Sequence, residues 1–194
     1  MGPRRQVIEF IAQYAALRGA RRILGPDVVS PSLLAAAADR EGVERSLGLV
    51  RGQAVVELSQ DLAAPGIEWR AGEPLSSVSA VQGSFDLIVS APPLGLCAPG
   101  RTHDREYAIL AQATPLLSPG GEIVFLLREG FNFEPGAQRF RDQLAESGLH
   151  VLSIVAVPDA FYSTGIRAQL TFFSKGNRPR FLFVSQMTSR MDVR

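Results

Sequence analysis

Phe85-Asp86-Leu87-Ile88-Val89-Ser90-Ala91-Pro92-Pro93-Leu94-Gly95 contains the clearest strand of the chain and the loop that ends it. After Asp86, three consecutive residues are apolar, so both faces of the strand are apolar. Such a strand fits a parallel sheet covered by helices on each side. Pro92-Pro93 stops it, because proline has no N–H for the ladder and stiffens the residue before it.

Reading outward, Arg105 to Leu117 has helical spacing with a break near Pro115, and Pro119-Gly120-Gly121 is a turn. Glu122 to Leu127 is a second continuous apolar strand. Gln138 to Ser147 is a helix with Phe140 and Leu144 on one face and Gly148 as its stop. Val151 to Val157, Gln169 to Ser174 and Phe181 to Val184 are strands. Upstream, Gln6 to Leu17 is a helix and Arg21 to Leu24 a strand. Ser30-Pro31 starts a helix over Leu33 to Arg40, with a hydroxyl N-cap and proline at the first helical position. In the ambiguous stretch from Ser46 to Ala64, both Leu47–Val50 and Ala54–Leu58 read as strands. Gly66 to Arg70 is another. The division expected is an N-terminal helix (1–20), an α/β domain (21–187) and a tail (188–194).

Alternating strands and helices predict an α/β domain with a mostly parallel sheet. Ligands of such sheets bind at the carboxyl ends of the strands, near the reversal of strand order. Here those ends are Gly25–Ser32, Gly72–Pro74 and Ser90–Gly95.

Composition narrows the function. The chain has 194 residues, 46% hydrophobic and 20% charged, which suits one globular domain rather than disorder. No apolar run approaches the ~20 residues of a membrane span. A single cysteine, Cys97, and two histidines, His103 and His150, exclude an internal disulfide and a four-cysteine zinc site, so no metal is expected. No apolar segment of a secretory signal follows Arg4-Arg5, so a cytoplasmic location is expected. The net charge of +1 is not that of a protein that grips DNA alone. Arg4, Arg5, Arg21, Arg22, Arg178 and Arg180 could touch phosphate, but the plainer reading is a solvated, salt-bridged surface. Neither G-x-G-x-x-G nor G-x-x-x-x-G-K-[ST] occurs, which argues against dinucleotide oxidoreductases and P-loop enzymes.

The segment Phe85–Gly95 resembles the strand and motif IV of N6-adenine DNA methyltransferases. It is most similar to the modification subunit of type I restriction systems, whose pattern is F-D-x-I-x-x-N-P-P-F-G. Leu116–Phe133, Arg139–Leu149, Ile154–Lys175, Phe181–Ser185 and Arg22–Asp39 resemble further segments of that family in the same order. The resemblance implies a class I S-adenosylmethionine (SAM) methyltransferase fold. That is a three-layer α/β sandwich on a seven-stranded sheet, parallel except for one strand near the edge. Val151–Val157 and Gln169–Ser174 would form the edge hairpin, with Ser163-Thr164-Gly165 as its turn. It also implies S-adenosylmethionine as cofactor, partners among other restriction-modification subunits, and contact with DNA through such a partner.

Within that frame the functional motifs depart from the pattern. The family's cofactor turn, roughly D-P-A-C-G-T-G-G, is here Gly25-Pro26-Asp27-Val28-Val29-Ser30-Pro31-Ser32, in which only Pro26 and the Ser30 hydroxyl match. Valine resists the positive φ that a glycine supplies, and proline forbids it. Ala54 stands where the resemblance puts the ribose-binding acid. Glu73, in Gly72-Glu73-Pro74-Leu75, is the one acid at a matching position. In the tetrad Ala91-Pro92-Pro93-Leu94, Ala91 lacks the asparagine's acceptor and Leu94 lacks the aromatic face on which a flipped base stacks. The cofactor candidates are thus Gly25, Pro26, Ser30 and Glu73, and the catalytic positions Ala91, Pro92, Pro93 and Leu94. His103-Asp104, Glu106 and Tyr107 could reach the mouth of the same cleft. The reading is a degenerate methyltransferase-like domain with a binding or scaffold role. The alternative is an active enzyme with an atypical site and a substrate other than duplex adenine. An open backbone path at Val28–Ser32 favours the alternative, and a turn filled by valine and proline side chains opposes it.

Overall fold

The computed structural model describes residues 5–28, 31–62, 66–92, 105–132, 134–157, 160, 167–176 and 183–187. Eight strands are β1 (Arg22–Gly25), β2 (Arg45–Val50), β3 (Ile67–Ala71), β4 (Phe85–Ser90), β5 (Leu117–Arg128), β6 (Leu149–Val157), β7 (Ala168–Lys175) and β8 (Phe183–Gln186). Six helices are α1 (Arg5–Arg18), α2 (Pro31–Ala38), α3 (Gln53–Leu62), α4 (Pro74–Ser79), α5 (Arg105–Ala113) and α6 (Pro135–Glu146). The strands form one sheet in the order β3-β2-β1-β4-β5-β7-β6-β8. β7 runs antiparallel to β5 and β6, and every other pairing is parallel.

The apolar run that began the reading lies at the centre. Leu87, Val89 and Ala91 pack on one face of the sheet with α1 and α2, while Phe85 and Ile88 pack on the other with α5 and α6. α1 joins the first layer through Val7, Ile11 and Ala15, spaced four apart on one stripe. Phe10 and Tyr14 of α1 meet Phe172 of β7 edge-on, at centroid distances of 6.0 and 4.7 Å. The Tyr14 hydroxyl donates to Glu122, which also receives Arg18 Nη2 at 2.7 Å.

Four sequence expectations change. Ala54–Leu58 lies within helix α3, not a strand: Val56 and Ser59 are buried on one side, and Leu58 is exposed. β2 has β3 and β1 as neighbours on its two edges, so no slot beside it is left for that run. Pro74–Ser79, read only as part of a turn, is a short helix started by its proline. The strands number eight instead of seven, because β8 adds parallel to β6 and takes the edge from the β6–β7 hairpin. The turn at Pro119-Gly120-Gly121 is absorbed as a bulge inside β5: Phe85 faces Leu117 but Leu87 faces Glu122, and Gly120 takes φ 73°. Ser163-Thr164-Gly165 and the tail lie outside the described residues.

At the amino ends of the central strands, Asp86 ties β4 to β1. Its carboxylate accepts Arg22 Nη2 at 2.8 Å, the backbone N–H groups of Arg21 and Arg22 at 3.1 and 3.0 Å, and Ser118 Oγ at 3.2 Å. Burial alone would raise its pKa. The hydrogen bonds and charge of Arg22 outweigh that and hold it below the ordinary aspartate value of 3.8. At the other edge, a Cβ on Gly48 of β2 would fall 2.3 Å from Trp69 Cζ3, so the indole packs against bare backbone there.

Two outcomes follow. Gly48→Ala forces Trp69 aside and costs about 1–3 kcal/mol, read from urea unfolding by the fluorescence of the chain's one tryptophan. Because the folded pKa of Asp86 is depressed, its stabilisation is present above 3.8 and fades as pH falls through the folded value. Asp86→Asn therefore lowers the melting temperature at neutral pH, and the gap from wild type narrows in acid.

Candidate functional site

Strand order reverses between β1 and β4, which places the ligand crevice of this sheet over the carboxyl ends of β1, β2, β3 and β4. Two backbone bonds fix its floor. Val28 N–H donates to Leu49 C=O and Gly72 N–H to Val50 C=O, each at 2.9 Å. The segments after β1 and β3 are thereby pinned to either side of β2.

After β1, Pro26 and Asp27 are buried. Val28 turns its side chain back on Gly25, where a Cβ would lie 2.7 Å from Val28 Cγ2. No described non-glycine residue has positive φ, and Gly25 does not use it either. The turn is filled rather than open at Val28. Pro31 opens α2 as its sequence required. Val29 and Ser30 lie outside the described residues.

After β3, Glu73 sits at the N-cap position of α4 but makes no side-chain cap bond. Its carboxylate accepts Arg105 Nη2 at 2.5 Å instead. Arg105 is the first residue of α5, and its Nε lies 3.3 Å from Asp27 Oδ2. The Arg105 side chain is 5% exposed, that of Asp27 2% and that of Glu73 53%. One guanidinium therefore bridges the ends of β1 and β3 across the end of β2. The residue after β2, Arg51, adds a second cation 3.6 Å from Asp27 Oδ2. Burial pushes the Asp27 carboxyl above the usual aspartate range, and the two arginines oppose that without cancelling it.

After β4, Ala91 and Pro92 are buried at the mouth of the crevice. Pro93, Leu94, Cys97, His103 and Asp104 lie outside the described residues. A cavity bordered by Asp27, Val28, Leu33, Leu34, Val89, Ser90 and Ala91 has about 10 Å³, about the space of one water. By contrast, a cleft of about 240 Å³ opens at the opposite, amino end of the sheet, beside Arg18, Asp86 and Glu122.

The structure thus brings Gly25, Pro26, Glu73, Ala91 and Pro92 to one end of the sheet. Ala54 is exposed in the first turn of α3, and no acid follows β2 directly. Glu106 and Tyr107 do not reach the mouth. Glu106 is fully buried and accepts Arg128 Nε at 2.7 Å, and Tyr107 stacks on Phe140 inside the core. Asp27, Arg51 and Arg105 are the site residues that local pattern missed. The signal for Arg51 was a charge directly after an apolar strand. Arg105 gave no local signal, since its partners are 78 and 32 residues away.

No protein-family profile and no curated protein sequence matches the chain. Solved structures do. A class I S-adenosylmethionine-dependent methyltransferase from Listeria monocytogenes, so described provisionally, superposes with TM-score 0.80 at 16% identity, over 96% of this chain and 66% of that one. The methyltransferase subunit of a type I restriction-modification system from Streptococcus thermophilus gives 0.75 at 17%, over 95% and 48%. A modification subunit from Vibrio vulnificus, provisionally described as part of a type I restriction enzyme, gives 0.69 at 16%, over 95% and 47%. The chain has the class I methyltransferase fold. It spans about half the length of those modification subunits.

Removing Asp27 leaves Arg105 buried beside one half-exposed partner, so Asp27→Ala costs about 3 kcal/mol or more in urea unfolding. Glu73→Gln, which loses only the exposed arm, costs at most about 1 kcal/mol. Equal losses would show that the guanidinium is not anchored at its buried end.

Proposed function

We propose that this chain is an N6-adenine DNA methyltransferase-like domain of a restriction-modification type system. In this reading its cofactor crevice is closed, and it serves as a binding or scaffold domain beside partner subunits. DNA is reached through such a partner. Its fold neighbours include type I restriction-modification subunits, one of them described in terms of complex assembly and conformational transition of that system.

The observation that carries the reading is the Asp27–Arg105–Glu73 bridge over the end of β2. The described residues do not suit S-adenosylmethionine. A cofactor with a ribose needs an acceptor for its hydroxyls, and Ala54, which the resemblance puts at that position, has none. Backbone must also approach the methionine end closely, and Val28 lies over Gly25. Ala91 offers no side-chain acceptor to a target amine, so a preorganised partner for the reaction is lacking as well. Loss at three separate places fits release of the whole site from selection better than one repairable change.

No helix among the described residues is long and apolar enough to cross a membrane. No group of three or more potential metal-ligating side chains gathers among them.

Calorimetry with S-adenosylmethionine and S-adenosylhomocysteine is the test. No heat at millimolar ligand is expected. Micromolar binding would overturn the closed-site reading and support an active enzyme with an atypical site.

A further inference from the structure

Arg105 is placed unlike an ordinary surface arginine. It starts α5, a helix that packs on the face of the sheet opposite α2, yet its guanidinium reaches the ends of β1 and β3. The space over β2, where a sheet of this kind receives its ligand, is crossed by that side chain. Burying a guanidinium is costly unless carboxylates meet it with directed hydrogen bonds, and Asp27 and Glu73 do so from opposite sides. The planar fork suits such bridging, because Nε and Nη2 point to different acceptors. The formal charges of Asp27, Glu73, Arg51 and Arg105 cancel. Next to this bridge, Ser90 lines the water-sized cavity and its buried hydroxyl has no hydrogen-bond partner. Among the described residues, this cavity has an unpaired hydroxyl and about the space of one water.

From these placements we infer that Arg105 is an internal plug, its guanidinium occupying the ligand crevice as a resident guest between Asp27 and Glu73. The crevice has become a guanidinium site filled in cis, and any ligand entering it must displace that group. The inference rests on the closed-crevice reading above and deepens it by naming what holds the crevice closed. A structural salt bridge alone would make Arg105 stabilising. A plug also leaves behind a receptor of defined chemistry when the side chain is removed.

The test is chemical rescue. Arg105→Ala is expected to melt on the order of 10 °C below wild type, as for a buried pair that has lost one partner. Methylguanidinium should refill the site and raise the melting temperature of the variant by about 3–5 °C at ten times its dissociation constant. Wild type should show no such rise, and neither should Arg105→Ala combined with Asp27→Asn. Potassium at matched ionic strength should not substitute. If Arg105→Ala does not fold on its own, it is followed by far-UV circular dichroism with and without methylguanidinium. Recovery of far-UV circular dichroism with methylguanidinium then reports refilling directly. An equal response of wild type and Arg105→Ala, or no recovery of Arg105→Ala by either readout, overturns the plug. Titration of S-adenosylhomocysteine into wild type is read separately: micromolar binding there overturns the closed-crevice reading, whereas the rescue comparison judges the plug.

Discussion

β4 is covered on both faces, and most of the architecture answers to that. A strand between β1 and β5 with Leu87, Ile88 and Val89 inaccessible to solvent needs a helical layer on each side. Parallel neighbours need crossovers, and the crossovers gather their loops at the carboxyl ends of the strands. The crevice is a by-product of that geometry. What the crevice contains is decided separately, by which side chains the gathered loops deliver.

Here they deliver charges that satisfy one another. Asp27 would be a costly group to bury alone. Arg105 and Arg51 offset part of that cost, and Glu73 takes the other side of Arg105. In a ligand-binding crevice of the same fold, polar groups stay preorganised but unspent until a ligand arrives. Here Asp27, Glu73 and Arg105 pair with one another, and Val28 packs on Gly25. The fold survives because its core lies below the crevice and does not depend on what the loops hold.

The amino end of the sheet shows the complementary arrangement. Asp86 gathers Arg22, two backbone N–H groups and Ser118, and Glu122 gathers Tyr14 and Arg18. These contacts fasten β1, β4, β5 and α1 together. The Pro119–Gly121 bulge is accommodated in β5 between Leu117 and Glu122 without breaking the pairing above it.

The order of strands and helices, the buried centre of the sheet and the proline that starts α2 were legible in sequence, because each depends on residues within one or two turns of one another. Local pattern misread Ala54–Leu58, since a short apolar run suits a helix or a strand equally until the neighbouring slots are known. It also could not place β8, whose position beyond β6 is set by pairing between distant segments. Valine, proline and serine at Val29, Pro31 and Ser32, and alanine at Ala91, were visible as departures from a pattern. The bridge at Arg105 was not. Arg105 meets Asp27 and Glu73 only because the sheet brings three distant loops to one end, and no spacing in the sequence encodes a contact across 78 residues. Sequence by itself determined the layers, through hydrophobic patterning that acts locally. Tertiary structure alone decided which charges meet at the carboxyl end of the sheet, because Asp27, Glu73 and Arg105 come together only when distant loops do.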